Sequence, residues 1–191
     1  MEESMAKAYI LLAEGFEEVE ALATADVLIR AGVKVKLVSV EGTGSVTGSH
    51  GIVIEAGARF ASPDSYDTGH FPEADAVILP VGKLGTDNLG ASRGVSEMIR
   101  AYNAAGKYVC AICAAPSVLG TNGILDGHEA TCFPGFETKL GGAKYTDAPV
   151  IVSGNVITGR SMGTAIDFGL AIAEKLVGKE AAEKVEFSLH R

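Results

Sequence analysis

Hydrophobic positions along the chain alternate between short apolar runs and stretches with helical periodicity. Residues 8–13 form a continuous apolar run, which is typical of a strand covered on both faces. A helical pattern follows over residues 17–30 and ends at Ala31-Gly32, a common sequence at helix C-termini. Residues 33–40 form the next strand-like run. These segments predict a βαβ unit, because the crossover is long enough to join two parallel strands.

The rest of the chain continues this alternation. Further strands are predicted at residues 52–54, 76–80 and 108–112, with a hairpin formed by residues 150–152 and 156–158. Helical patterns occupy the second part of 85–105 after a polar loop, the segment from about residue 114, and residues 163–176 and 179–185. Residues 41–51 are expected to form a loop or a hairpin, and residues 61–73 are polar and show no periodicity. Residues 125–154 are less regular and are expected to mix short strands with a helix near 137–140.

This order of elements predicts a single α/β domain over residues 1–191, with helices covering a mostly parallel sheet. A length of 191 residues suits about one domain. The chain shows no linker, internal repeat or low-complexity tract that would divide it.

Charge and composition narrow the classes of partner. The 24 acidic and 16 basic residues give a net charge of −8, and the basic residues are scattered, so nucleic acid is not expected as a main partner. No apolar stretch reaches 18 residues, so no membrane span is expected. Three cysteines are too few for a disulfide framework, and residues 1–4 are acidic where a signal peptide would be basic. These features predict free thiols and a cytoplasmic location.

Candidate chemistry lies where predicted strands end, because ligands bind at the carboxyl ends of parallel strands. The most informative segment is residues 108–116, where an apolar strand ends at Cys113 and a helix begins with Pro116 in its first turn. This layout predicts an elbow that exposes the thiol and directs a helix N-terminus at the sulfur, which would stabilise the thiolate. The alternative is that Cys113 is a small buried apolar residue.

Two other interpretations involve Cys110. With Cys113 it forms a C-x-x-C pair, but residues three apart in a strand lie roughly 10 Å apart, whereas a disulfide needs Cα atoms within about 7 Å. Cys110, Cys113, His128 and Cys132 also have a spacing that resembles zinc ligands. A buried apolar run between the first two cysteines disfavours that site, so we interpret Cys110 as a core residue.

Two further segments follow buried strands. Glu17 and Glu18 are explained by favourable interactions of acidic groups with a helix N-terminus. Glu20 lies about one turn further on, and burial there would raise its pKa and let it share a proton with a thiolate. The pattern alone does not choose among these acids. Residues 80–85 offer backbone N–H groups for an oxyanion hole.

Four stretches together resemble the DJ-one branch of the ThiJ/PfpI superfamily, the branch of the parkinsonism-associated deglycase, and within it the bacterial YajL-type members. The resemblance spans nearly the whole chain in the family's order. The four stretches are EGFEEVE (14–20), VILPVG (77–82), AICAAP (111–116) and GTAIDFGLA (163–171).

The resemblance implies a flavodoxin-like three-layer α/β/α sandwich that forms a homodimer. It also implies that Cys113 is the reactive thiol and that Glu20 is its protonated carboxyl partner. The backbone N–H groups beside the sulfur would be those of Gly82 and Ala114. Two further residues match positions near the dimer interface and the mouth of the site, namely Arg30 and His50.

Three departures from the family pattern bear on function. Phe133 stands where many members have a histidine close to the thiol, Val81 replaces the first glycine of a Gly-Gly pair, and Ser161-Met162 replaces Gly-Pro. Without that histidine there is no Cys–His dyad, which disfavours a cysteine peptidase.

We therefore predict a glyoxalase or deglycase that needs no cofactor or metal. Its substrates would be small dicarbonyls of the methylglyoxal type or their adducts, attacked by the Cys113 thiolate while Glu20 moves a proton. The main alternative is a non-enzymatic oxidative-stress sensor or redox-regulated chaperone that uses the same cysteine. A third possibility is a family member that retains the fold without catalysis.

Overall fold

The structure is a computed structural model that describes residues 5–66 and 74–190. The acidic residues 1–4 lie outside the described residues, and the predicted loop at 61–73 lies partly outside them. The strands are β1 (Lys7–Leu12), β2 (Lys34–Ser39), β3 (Ser45–Thr47), β4 (Val53–Glu55), β5 (Ala58–Arg59), β6 (Ala76–Leu79), β7 (Tyr108–Ile112), β8 (Glu129–Ala130), β9 (Lys144–Tyr145), β10 (Val150–Ser153) and β11 (Val156–Gly159). The helices are α1 (Glu18–Arg30), α2 (Lys83–Ala91), α3 (Arg93–Ala104), α4 (Pro116–Thr121), α5 (Ala165–Val177) and α6 (Lys179–Ser188), with 3-10 turns at Glu137–Lys139 and Met162–Thr164.

A seven-stranded sheet organises these elements, in the order β10-β11-β7-β6-β1-β2-β5. Neighbouring strands are parallel except at the β10 edge, where β10 and β11 form the predicted antiparallel hairpin. From β1 the chain first builds β2 and β5 on one side, and then β6, β7 and β11 on the other. The strand order therefore reverses between β1 and β6, which is where an open α/β sheet leaves a crevice for a ligand.

Side chains alternate across the sheet and feed two separate cores. In β1, Tyr9 and Leu11 face one core while Ile10 and Leu12 face the other. The first core is closed by α2, α3 and α4, and the second by α1, α5 and α6. The fold is thus the expected flavodoxin-like α/β/α sandwich, and its central strands are apolar throughout because both faces are covered.

One predicted loop is a helix. The polar first part of residues 85–105 forms α2, which precedes α3 with Ser92 capping the second helix through a hydrogen bond from the Val95 N–H, 3.2 Å. Gly85 is required in α2 because a Cβ there would lie 2.9 Å from the carbonyl oxygen of Gly15. The short edge strand β5 was also not predicted. Both elements depend on contacts with distant segments rather than on local periodicity.

A small hairpin of β3 and β4 lies beside the crevice, as the alternative of a hairpin for residues 41–51 allowed. It is joined to the segment after β1 by backbone hydrogen bonds, from the Gly15 N–H to the Thr47 carbonyl at 2.8 Å and from the Ser49 N–H to the Phe16 carbonyl at 2.8 Å. Within the described ranges, no helix is both long enough and apolar enough to span a membrane.

Candidate active site

Cys113 occupies a strained position at the carboxyl end of β7. Its φ of 64° lies in the left-handed region, which costs an L-residue other than glycine about 1–2 kcal/mol. Two backbone hydrogen bonds hold it there, from its own N–H to the Gly159 carbonyl at 3.0 Å and from the Phe133 N–H to its carbonyl at 2.7 Å. The chain then turns through Ala114 and Ala115 into α4, with Pro116 in the first turn. This backbone confirms the predicted elbow.

Exposure separates Cys113 from the other two cysteines. Cys110 and Cys132 are fully buried, whereas Cys113 is half-buried, so it is the thiol that a small solute reaches first. Cys110 belongs to the core closed by α1, and Cys132 to the core on the opposite face of the sheet. The four residues with zinc-like spacing therefore do not converge, and His128 instead contacts the hydroxyl of Ser153 through Nδ1 at 3.0 Å.

Glu20 lies in the first turn of α1 with no exposed surface. Its Oε2 accepts a hydrogen bond from the Val81 N–H at 3.0 Å, which links α1 to the segment after β6. Oε1 has no partner with well-aligned geometry, and the neighbouring group that interacts with the carboxyl is the Cys113 thiol. The structure thus brings together the two side chains that the family resemblance pairs.

Burial decides the protonation of Glu20. Removal from water raises its pKa from 4.5 to about 8, although the hydrogen bonds that the carboxylate accepts from the Val81 N–H and the Cys113 thiol oppose that rise. At neutral pH the carboxyl group therefore carries its proton for most of the time. A neutral carboxyl can donate a hydrogen bond to sulfur, whereas an ionised one beside a thiolate would repel it.

The expectation that the elbow lowers the pKa of Cys113 is wrong. Burial raises the pKa of this thiol, and the negative charge on Glu20, when it is ionised, raises it further. The hydrogen bond from the Ala114 N–H acts in the opposite direction but is outweighed. α4 is only six residues long, so its dipole cannot compensate for the lost hydration. The reactive unit is consequently a thiol–carboxyl pair rather than an isolated thiolate.

Of the two backbone groups proposed for an oxyanion site, the structure shows one in contact with the sulfur. The Ala114 N–H points at the sulfur. Gly82 caps α2 and lies against the segment after β1, because a Cβ on Gly82 would come 2.6 Å from the Gly15 carbonyl oxygen and 3.3 Å from the Ser49 Cβ. The Val81 N–H, in contrast, is already bound to Glu20.

A second polar cluster closes the mouth of the crevice. The Glu18 carboxylate is buried and accepts hydrogen bonds from the His50 N–H at 2.7 Å, from His50 Nδ1 at 2.8 Å and from the Ser49 hydroxyl at 3.1 Å. Burial alone would raise the pKa of Glu18, but these bonds lower it to about 2, and the same contact raises the pKa of His50. Gly48 is needed here because a Cβ would overlap the carboxylate.

This cluster revises the interpretation of Glu18. It does not simply favour the helix N-terminus but holds the β3–β4 hairpin against α1. Glu17, Glu18 and His50 also form the one group of potential metal ligands that converges within the described part of the chain. Glu17 Oε2 already caps α1 by accepting a hydrogen bond from the Glu20 N–H at 2.7 Å, and both Glu18 oxygens are in use. Hydrogen bonding within the chain therefore accounts for the cluster.

The remaining candidate, Arg30, lies away from the site. It ends α1, ten positions after Glu20, which corresponds to about 15 Å along the helix axis. It forms an exposed ion pair with Asp26, Nε to Oδ2 at 2.6 Å. The structure therefore places His50 against Glu18 at the start of α1 and Arg30 at the opposite end of this helix. Glu18 joins α1 to the β3–β4 hairpin. The sequence did not predict this contact, because the partners of Glu18 lie about thirty positions away in the chain.

The chain is similar to known proteins over most of its length. The chain is 37% identical over 180 residues to the protein dj-1beta of Drosophila melanogaster, covering 93% of each. It is 35% identical over 173 residues to the glutathione-independent glyoxalase DJR-1.2 of Caenorhabditis elegans, covering 90% of this chain and 88% of the relative.

Solved structures agree as well. The oxidized DJ-1 of Toxoplasma gondii superposes with a TM-score of 0.89 at 31% identity, covering 96% of this chain and 97% of that one. Residues 6–175 match the description of the DJ-1/PfpI family. The chain belongs to the DJ-1/PfpI family.

Proposed function

We propose that the protein is a cofactor-free glyoxalase that converts small 2-oxoaldehydes, free or as adducts, into 2-hydroxy acids. The observation that carries the proposal is the contact between a half-buried thiol in a strained elbow and a fully buried carboxyl that is neutral at pH 7. Support also comes from the relative named as a glutathione-independent glyoxalase.

The chemistry begins with addition of sulfur to the aldehyde. Cys113 Sγ forms a bond to the aldehyde carbon as the C=O π bond breaks, and the one proton of the thiol–carboxyl pair passes to the carbonyl oxygen, which becomes the hydroxyl of a hemithioacetal and leaves Glu20 as a carboxylate. The N–H groups of Ala114 and Gly82 would stabilise the negative charge that develops on that oxygen. Preorganised donors at such a position are worth several kcal/mol, about 2.7–4 in measured cases.

The second stage moves a proton between neighbouring carbons. Glu20 removes the C1 proton to give an enediol and returns a proton to C2, so C1 rises to the oxidation level of a thioester while the ketone becomes an alcohol. Water then cleaves the thioester, releasing the hydroxy acid and restoring the thiol. The overall change adds one water to the 2-oxoaldehyde, and no external oxidant or reductant is required.

Turnover should depend on pH, because the Cys113–Glu20 pair is active only when the two groups together hold one proton. When the pair holds two protons, neither group can accept one from substrate. Since the pKa of Glu20 is about 8, the form with one proton becomes populated as the pH rises through about 8. We expect kcat/KM to rise over that interval.

The test is production of lactate from methylglyoxal by the purified protein and three variants. Cys113→Ser should reduce turnover to background, and Glu20→Gln should reduce it by roughly a hundredfold or more. Cys110→Ala, which removes a buried thiol of the same strand, should retain activity. Full turnover by Cys113→Ser, or no turnover by the wild type, would overturn the proposal.

A second candidate function is an oxidation sensor. It is favoured by the exposure of Cys113 relative to the two buried cysteines, and the raised pKa of Cys113 counts against rapid oxidation. Intact-mass measurement after mild peroxide treatment separates the two functions. Addition of two or three oxygens at Cys113, with no lactate produced by the untreated protein, would favour the sensor.

We also propose that the chain forms a homodimer. The outer face of α1 carries three exposed apolar side chains, Val19, Leu22 and Ile29, at helical spacing. A second copy of this chain would cover them. Light scattering coupled to size-exclusion chromatography measures the mass of the protein in solution. A mass of 19.7 kDa at micromolar protein concentration would contradict the dimer.

A further inference from the structure

Three exposed apolar side chains lie on segments that adjoin the elbow of Cys113. Phe133 is 44% exposed, Leu84 58% and Met162 49%. Large apolar groups exposed one at a time are common on protein surfaces. Here, however, Leu84 and Met162 follow β6 and β11, the two neighbours of β7, and Phe133 is hydrogen-bonded to Cys113 itself.

Among the three residues, Phe133 is the one whose backbone is hydrogen-bonded to Cys113. Its N–H donates to the Cys113 carbonyl at 2.7 Å, and its own carbonyl accepts from the Phe136 N–H at 3.1 Å, which fixes its backbone on both sides. The ring is thus carried on a rigid turn beside the elbow while almost half of the residue's surface stays exposed.

Leu84 and Met162 approach from the two neighbouring strands. Leu84 follows β6 and packs over the segment after β1, since a Cβ on Gly15 would lie 2.8 Å from the Leu84 Cβ. Met162 follows β11, three residues after Gly159, whose carbonyl accepts the Cys113 N–H. Because β7 lies between β6 and β11, Cys113 lies between the segments that carry these two residues.

We propose that Phe133, with Leu84 and Met162, forms an apolar subsite that selects 2-oxoaldehydes with an aryl or larger alkyl group over methylglyoxal. This inference rests on the proposed function and adds the substrate class. When the aldehyde carbon of a substrate is bound to Cys113, the substituent on its ketone carbon must point outwards, towards these three side chains. A phenyl group gains an aromatic contact with Phe133 that a methyl group is too small to make.

The experiment compares kcat/KM for phenylglyoxal and for methylglyoxal in the same protein preparations. Using the ratio for each variant removes the difference in intrinsic reactivity between the two aldehydes. Phe133→Ala should lower kcat/KM for phenylglyoxal roughly two- to tenfold and change that for methylglyoxal by less than about twofold. Phe133→Leu, which keeps an apolar group, should lose less than Phe133→Ala.

Phe187→Ala is the matched control. Phe187 is 82% exposed on α6, on the face of the sheet opposite α2, and its truncation should leave both rates unchanged. Equal losses for both substrates in Phe133→Ala, or no loss for either, would overturn the subsite while leaving the glyoxalase intact. Absence of hydroxy acid from both substrates with the wild type would overturn the proposed function and the subsite with it.

Discussion

Replacing Glu20 with glutamine should change how stability depends on pH. The side chain is fully buried, and burial raises its pKa from 4.5 to about 8. Between these two pH values the unfolded chain releases the proton that the folded protein keeps. The folded state therefore binds more protons, and its free energy of unfolding falls as the pH rises through this interval.

The size of the effect follows from the same two values. A proton retained by one state alone changes the free energy of unfolding by about 1.4 kcal/mol for each pH unit. Over the interval from 4.5 to about 8 the loss is about 5 kcal/mol. That is a large part of the roughly 5–15 kcal/mol by which domains are stable. Glutamine has nearly the same shape and can still accept the Val81 N–H, but it does not titrate.

The assay is urea unfolding at pH 5.0, 6.5 and 8.0 for the wild type and Glu20→Gln. The variant should gain stability relative to the wild type as the pH rises, with the largest difference at pH 8. Glu18→Gln is the control of opposite sign, measured additionally between pH 5 and pH 2, because the pKa of Glu18 is lowered to about 2. Stability from ionised Glu18 is present above about 4.5 and lost as the pH falls towards about 2. Parallel curves for the wild type and Glu20→Gln from pH 5 to 8 would refute the burial argument.

Three further predictions test the elbow and its surroundings. Alkylation of Cys113 by iodoacetamide should accelerate as the pH rises through about 8, and this rise should be absent in Glu20→Gln; a rate that is flat from pH 6 to 9 would contradict the shared proton. Cys113→Gly should be more stable than Cys113→Ala by about 1–2 kcal/mol in urea unfolding, since only glycine accepts a φ of 64° without strain. Gly120→Ala should lower the free energy of unfolding by about 1–3 kcal/mol, because a Cβ there would collide with the backbone of Lys139 and Leu140, whereas Gly44→Ala, with open space around it, should show no such loss.

The central strands could be predicted because their environment leaves a clear local signal. Both faces of β7 are covered by helices, so residues 108–112 are apolar without interruption. The strand in the structure has the same bounds as the predicted one. The end of α1 could also be predicted, because glycine is common just beyond a helix C-terminus and Gly32 adopts a φ of 88° there. In such segments, local propensity and tertiary packing favour the same conformation.

Elements that depend on distant partners could not be predicted in this way. α2 contains Gly85, Asn88 and Gly90, which individually disfavour a helix. It forms because Gly85 fits against the Gly15 carbonyl and Asn88 donates to the Glu14 carbonyl at 2.9 Å. Neither contact has a local sequence signal.

The site shows the same division. Family motifs correctly placed Cys113 and Glu20 in one pair, but reasoning from the helix dipole gave the wrong direction for the pKa of the thiol. A dipole argument needs only the order of strand and helix, whereas desolvation depends on everything that packs around the sulfur. The clamp between Glu18 and His50 was missed for the same reason, because it is visible only when the hairpin is folded against α1.

The energetics of the pair argue against a chain that keeps the fold without the chemistry. Holding Cys113 at a φ of 64° costs about 1–2 kcal/mol, and burying Glu20 costs about 5 kcal/mol at pH 8 relative to a group that does not titrate. A glycine at position 113 and an apolar or amide side chain at position 20 would remove both costs without altering the sheet. Two destabilising residues in direct contact, at the crevice where the strand order reverses, are what a reactive site requires and what a purely structural role would not retain. The single variants Cys113→Gly and Glu20→Gln should therefore each be more stable than the wild type at pH 8 and lack turnover, and a loss of stability in both would remove the basis for this argument.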